Sequence, residues 1–315
     1  MHALRLLWTA HHHTISDRRR RRLLLRRQLE RIEDMPELLF TQNFRLDKAS
    51  YTSLCMDLRR AKILKGTDEI PLQIKVLCAL SFFATGSYQK LVGVGLHLTQ
   101  RTTSRCINEV VDALNDPWMV GRWIIFPQTP QERSQIKEKC ICDADLKILS
   151  VNSKFGGSTH DSFIWLASHV ESYVRGINLG GENVWLLGDS GYPLRPWLMT
   201  PLLNANPGTR EERYTRRHVQ ARSSIERCFG LLKARWRCLL HDRVLHYHPE
   251  MASKIVHACC VLHNIALHAN VASPPLHELP PDLQDDDGEL HLENTSNDDY
   301  LHGSAVRSAL INRMN

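Results

Sequence analysis

The residues of this chain best suited to chemistry are two carboxylates, Asp189 and Glu226, and the arginines around the second. Asp189 follows the apolar run 184–187 in "VWLLGDSGYPLRPWLMTPL". That run is short, flanked by polar residues and rich in β-formers, so it reads as a buried strand. A carboxylate at its end is costly unless something pairs with it. Two readings are open. Asp189 opens the Ser-Gly-Tyr-Pro turn by bonding its own backbone, or it stands at the carboxyl end of a strand, where α/β sheets hold ligands and metal ions. Glu226 lies in "RSSIERCFGLLKARWR", a helix by its period. Ile225, Phe229, Leu232 and Trp236 fall on one face and are expected to pack on a sheet, with Arg222, Glu226, Gly230, Lys233 and Arg237 on the neighbouring stripe. Glu226 is either one half of a surface ion pair with Arg222, worth well under about 1 kcal/mol, or a partner for Asp189 around a divalent ion. Carboxylates carried by a strand end and a helix suit Mg²⁺ or Mn²⁺, hard ions that prefer oxygen.

The surrounding charge points to a polyanion. The chain has a formal net charge of +6. Between Arg210 and Arg237, basic residues outnumber acids by the same amount, with Arg222, Arg227, Lys233, Arg235 and Arg237 placed to contact phosphates. Such a stripe suits DNA. Asp282 to Asp299 opposes it, holding only acids among its charged residues beside Pro275, Pro280 and Pro281. The segment 271–315 therefore reads as an acidic, proline-containing, disordered tail. At the other end, Arg18 to Arg22 with Arg26 and Arg27 suits nuclear import or phosphate contact, or is simply a solvated helix face. The expected location is the nucleus, with the cytoplasm also open.

What positions these residues is an α-helical first half and a mixed second half. Residues 16–66 alternate apolar and charged groups as helices do, and 72–84 reads as a mostly buried helix. In "SYQKLVGVGLHLTQRTTSRCINEVVDALN", Ser87 is placed to cap a short helix, Gly93 and Gly95 to make a turn, and Thr99 to cap a longer helix. Thr103, Cys106, Ile107, Val110, Val111 and Leu114 recur at helical spacing and should face the core. Gln100, Arg101, Thr102, Ser104 and Arg105 remain at the exposed start, where a helix-turn-helix offers side chains to the major groove. An ordinary helical hairpin has the same pattern.

Further on, "KCICDADLKILSVNSKF" reads as two strands, 140–143 and 148–154, joined by a turn. "STHDSFIW" begins a helix with Ser158 or Asp161 near its cap. A polar, Gly-rich segment over 174–183 leads to the strand before Asp189. The order strand, strand, helix, strand, basic helix makes an α/β domain.

The nine cysteines of these 315 residues show no pairing or zinc pattern and read as reduced, mostly buried thiols in an intracellular protein. The longest apolar run, 76–84, is too short to cross a bilayer, and no secretory segment is expected, so no membrane partner is. His11 to His13 reads as an exposed polar tract rather than a metal site.

"CDADLKILSVNSKFGGSTHDSFIW", "LLGDSGYPLRPWLMTPL", "SSIERCFGLLKARWRCL" and "ACCVLHNIALH" occur in the order seen in PIF/Harbinger transposases and the Harbinger transposase-derived nucleases. The chain resembles that family over roughly residues 40–270. The resemblance implies an RNase H-like DDE nuclease core over 137–270, preceded by a basic segment over 1–39 and a helical region with a helix-turn-helix over 40–136. It implies Asp, Asp and Glu ligands to two divalent ions for cleavage of DNA. Asp189 then corresponds to the second acid and Glu226 to the third, both catalytic and metal-binding. It also implies a separately encoded Myb-like partner.

The chain departs from the family at the first acid. The family's Ile-Asp-Gly-Thr-His-like strand is missing, because "QERSQIKEKC" runs directly into "ICDAD". Asp143 and Asp161 match other family positions and do not inherit the role. A skipped exon or faulty gene model, an inactive domesticated transposase, and a repacked domain each account for the gap. Loss of an essential catalytic group often costs several powers of ten in rate, so a non-catalytic DNA-binding or partner-binding protein is the alternative reading.

Overall fold

The computed structural model describes residues 2–126, 142–143, 145–151, 165, 168–182, 184–240, 247–274 and 297–314, with side chains from residue 17 onward. In chain order the elements are α1 (His2–Glu33), α2 (Glu37–Phe44), α3 (Lys48–Arg60), α4 (Leu72–Thr85), α5 (Gln89–Gly95), α6 (Gln100–Leu114) and α7 (Pro117–Trp123). There follow α8 (His169–Leu179), β1 (Leu186–Leu187), β2 (Leu198–Met199), α9 (Arg210–Arg235), α10 (Pro249–His268) and α11 (Asn297–Asn312). The chain is mostly helical with a small two-stranded sheet, as befits an α/β domain of the DDE type with a helical region before it. It divides into two compact units: Met1–Trp123 with Arg235–Pro274, and Ile124–Ala234 with Pro275–Asn315.

The first unit is built around α4, whose residues are apolar almost all round and almost all buried. Its C-cap, Gly86, adopts φ 62°, a left-handed conformation that stops the helix at low cost. α6 packs on α4 through the face expected of it, with Thr103, Cys106, Ile107, Val110, Val111 and Leu114 all buried. α10, which carries "ACCVLHNIALH", closes the unit. Asn115 Nδ2 donates to Lys254 O at 2.9 Å and Asn264 Nδ2 to Trp123 O at 2.7 Å. Trp236 is fully buried, edge-on to Phe83 with ring centroids 6.3 Å apart.

In the second unit, Trp165, Val170, Val174, Val184, Leu186, Trp197 and Leu198 form one apolar cluster. The expected hairpin survives as an antiparallel bridge between Cys142 and Ile148, with Asp143 N donating to Lys147 O at 3.0 Å. Residues 149–151 of its expected second strand are irregular, while 152–154 and the start of the "STHDSFIW" helix lie outside the described residues. The segment 174–183, expected to be irregular, is helical through Leu179. Ser168 caps that helix by accepting from Glu171 N at 3.1 Å, and Val174, fully buried, belongs to the cluster. A second correction concerns the tail. Residues 275–296 lie outside the described residues, but Asn297–Asn312 is helical rather than disordered. There a Cβ on Gly303 would come within 2.8 Å of the Arg195 backbone, so glycine permits the helix to sit against the chain leading into β2.

The eight described cysteines are free and buried, in line with the expectation from their spacing. Among the described residues no helix is long and apolar enough to cross a membrane. α1 includes His11 to His13, whose side chains are not described.

Candidate functional site

β1 and β2 run parallel, with Leu186 opposite Leu198 and Leu187 opposite Met199. Leu186 N donates to Trp197 O and Gly188 N to Met199 O, each at 2.9 Å. The chain then turns sharply. A Cβ on Gly188 would lie 3.0 Å from the Tyr192 side chain, so glycine at that position eases the close return of the turn onto the strand. Asp189 stands at the carboxyl end of β1 and its two oxygens are used differently. Oδ1 accepts from Gly191 N at 3.0 Å, which forms the turn. Oδ2 accepts from Arg222 Nη2 at 2.8 Å, which pairs the charge. Oδ1 thus takes the turn role expected of this residue, and Oδ2 is paired with a cationic side chain.

Arg222 reaches Asp189 because of how α9 is seated. Tyr214 Oη donates to Thr200 O at 3.1 Å, and one turn later His218 Nε2 meets Met199 O at 3.1 Å. A carbonyl only accepts, so Nε2 carries the proton. Arg222 and Glu226 follow at the same four-residue spacing, which lines up the stripe Tyr214, His218, Arg222, Glu226. Tyr214 and His218 escape a sequence reading that begins from the acids, although the spacing of four would have found them.

This seating turns the helix away from the expected face. Cys228, fully buried, faces inward with Sγ 3.2 Å from Leu146 O. Phe229, one residue and about 100° further round, is 48% exposed. Leu232 is buried as expected, and Ile225 is half-buried. The correction follows from Tyr214 and His218: once they fix the rotation, positions 224, 228, 231 and 232 are buried and 229 is not.

Burial pushes the His218 ring below its ordinary pKa, and the Arg222 charge adds to that, against its bond to Met199 O and the Asp189 charge. Nδ1 has no hydrogen-bond partner among the described residues. The ring is a neutral anchor.

The structure brings Asp189 and Glu226 to one cation. Arg222 Nη1 lies 3.5 Å from Glu226 Oε1 while Nη2 holds Asp189. The Asp189 side chain is 26% exposed and that of Glu226 56%, so the pair opens to solvent on the helix side. Two carboxylates converging on a single positive group have the donor chemistry of a site for a hard divalent ion. They fit such an ion in kind but fall short in number. Among the described residues no group of three or more His, Cys, Asp or Glu is placed to hold one.

The other sequence-selected residues divide by location. Gln100, Arg101 and Arg105 are exposed and Thr102 half-buried at the start of α6. They line a groove of about 790 Å³, apart from Thr102, whose N–H and hydroxyl bond Thr99 Oγ1, the helix cap, at 3.3 and 2.9 Å. A Cβ on Gly93 would lie 2.4 Å from Thr103 Oγ1 and 2.8 Å from Leu98 O, so this glycine lets α5 meet α6. The turn between the helices falls at His97, with φ 55°, rather than at Gly93 and Gly95, both inside α5. Tyr88, not Ser87, takes the cap position of α5.

On the basic stripe, Arg227 is exposed, while Lys233 and Arg237 are half-buried. Arg235 is a correction. It is 1% exposed, with Nη2 donating to Val271 O at 3.2 Å, and burial, helped by Arg45, pulls its pKa down to about 10. Its aliphatic stem packs where an outward arginine was expected, and it is not presented to a ligand.

The family profile described as DDE superfamily endonuclease matches residues 131–264. The protein called "Putative nuclease HARBI1" in Homo sapiens is 31% identical over 290 aligned positions, covering 76% of this chain and 79% of that protein. The chain belongs to the Harbinger transposase-derived nucleases. The Bos taurus protein of this family is 30% identical over the same shares of both chains. "Protein ALP1-like" of Arabidopsis thaliana is 27% identical over 168 positions, 50% of this chain and 39% of that protein. No solved structure matches. Three of the four motifs of the Harbinger family now have places: Asp189 after β1, Glu226 on α9, and "ACCVLHNIALH" on α10.

Proposed function

We propose that this Harbinger-family chain is a DNA endonuclease of the DDE type, with Asp189 and Glu226 as ligands to Mg²⁺ or Mn²⁺. The observation that carries this reading is the convergence of both carboxylates on one positive group at a strand end. Divalent ions held there supply a Lewis acid and a metal-activated water for phosphodiester hydrolysis. The chain's own residues do the rest. β1 and the Gly188 turn fix Asp189, His218 and Tyr214 fix the rotation of α9, and that rotation brings Glu226 to the same place. Arg222 keeps the two carboxylates at close quarters in the absence of another cation.

The nuclease reading belongs to 137–270, and the α5–turn–α6 segment serves as a helix-turn-helix over DNA, with Gln100, Arg101, Thr102 and Arg105 toward the groove. A nuclear location and a Myb-like partner belong to the same proposal. One observation supports a lost first strand in an otherwise RNase H-like core. The alignment with the human relative runs over 290 positions while taking in 76% of this chain's 315 residues, so several tens of positions have no counterpart here. Asp143 does not replace the missing acid, since its Oδ1 closes a turn with Lys147 N at 2.9 Å. Asp161 lies outside the described residues.

Cleavage of supercoiled plasmid in Mn²⁺ by the full chain, lost in Asp189→Asn together with Mn²⁺ binding followed by electron paramagnetic resonance, is the expected result. The drop in cleavage should reach about three powers of ten. If the wild-type chain binds DNA but neither cleaves it nor takes up Mn²⁺, the reading fails and the non-catalytic alternative replaces it.

A further inference from the structure

We propose that the first unit carries a second nucleic-acid contact, a basic cleft that grips the phosphodiester backbone beside the α6 groove. The cleft, of about 410 Å³, lies where α1, the end of α3 and the loop before α4 meet, and presents Arg22, Arg26, Arg59, Lys62 and Lys65. None of these five has an ion pair among the described residues. Two acids share the lining, Asp68 and Glu69, and Glu69 is already engaged by Arg18 at 3.2 Å. The cleft thus keeps a surplus of unpaired positive charge, which attracts a polyanion.

Its position relative to α6 is fixed by one buried lysine. Lys75 is 3% exposed. Its Nζ donates to Lys65 O, on the cleft, at 2.7 Å and pairs with Glu109, which lines the α6 groove. Cleft and groove are therefore neighbours separated by a single ammonium group. On the far side, Gln28 Nε2 donates to Gly95 O at 3.0 Å, which ties the arginine-bearing helix α1 to the end of α5. Arg22 and Arg26 are held at a set place beside the groove by that bond.

This arrangement favours a duplex. A helix that reads base edges needs backbone contacts to set its register and orientation, and a duplex carries one negative charge for about every 1.7 Å of its axis. A ligand lying in the α6 groove continues past Lys75 into the cleft. The inference rests on the reading of α6 as a DNA-contacting helix and adds where the flanking phosphates go.

Fluorescence anisotropy of labelled duplexes with the full chain, repeated as KCl is raised, tests it. In Arg26→Gln/Arg59→Gln/Lys65→Gln, which changes three exposed side chains, the slope of log K against log salt should shrink by about two to three. The affinity should fall equally for every duplex sequence, with the melting temperature unchanged. Arg101→Ala, on α6, should instead change the ranking of sequences. An unchanged slope in the triple variant, with the wild-type chain still binding, overturns the cleft and leaves the α6 reading standing. Failure of the wild-type chain to bind any duplex at low salt removes both.

Discussion

α6 and α9 both turn arginines toward solvent, and they are seated by opposite means. α6 lies on α4 through a largely apolar face broken by Thr103, and of the two arginines in its first turns Arg101 has no ion pair among the described residues while Arg105 pairs with Glu109 at 3.7 Å. α9 is pinned to the end of β2 by Tyr214 and His218, and its next outward residue, Arg222, is taken up by Asp189 and Glu226. An apolar seat leaves charge available to an external anion. A polar seat consumes charge in holding the element down. An endonuclease that grips and cuts DNA, as proposed above, has use for each: open positive charge to grip, and carboxylates kept together around a cation to cut.

The strongest attack on this contrast is at the apolar seat. Ile107, fully buried on α6, should cost about 2–5 kcal/mol when replaced by alanine, read as a shift in the urea midpoint. A loss below that range would mean that α6 is held by something other than its apolar face.

A smaller effect is expected at the polar seat and depends on pH. Burial holds the His218 ring below 6.5 in the folded chain, while the unfolded chain titrates near about 6.5. Its contribution is complete above that pH and drains away as pH falls through the lower folded value. His257 on α10, also lowered by burial, acts in the same direction. His218→Gln should therefore flatten the acid side of a melting-temperature profile without abolishing its slope, and an unaltered profile would remove His218 from the account.

The smallest change is expected at Glu226. Its ion pair with Arg222 is exposed and at 3.5 Å, so Glu226→Gln should alter stability by well under about 1 kcal/mol. The same variant should lose Mn²⁺ uptake. Loss of stability larger than that would make Glu226 a structural residue first.

The α6 face was legible in the sequence because everything that decides it is local. Thr99, the apolar period and the glycine-bearing stretch before it lie within thirty residues of chain. Asp189 was legible as a choice between turn and ligand; the structure shows the turn bond to Gly191 N and adds a pairing with Arg222 that no local pattern announces. What escaped notice on α9 was its rotation: periodicity offers several apolar stripes, and only the long-range bonds of Tyr214 and His218 to β2 select one. Arg235 misled for a related reason, since a basic residue at helical spacing gives no sign that its stem will be covered. β2 was missed because "WLM" between two prolines looks like a loop until β1 is available to pair with it. The helix Asn297–Asn312 hid behind the acidic stretch before it, whose composition was extended over a segment that does not share it.

The layout of the first unit also matters while the chain is being made. α4 and α6 emerge from the ribosome long before Trp236 and α10, which later cover them. All of 124–234 must be synthesised in between, roughly six to twenty seconds at about 5–20 residues per second. During that interval Phe83 and the apolar side of α6 wait without their final cover. Nascent chains of this protein should therefore need chaperone protection in proportion to the time spent translating the nuclease segment, and slow codons there should lower its soluble yield more than slow codons elsewhere.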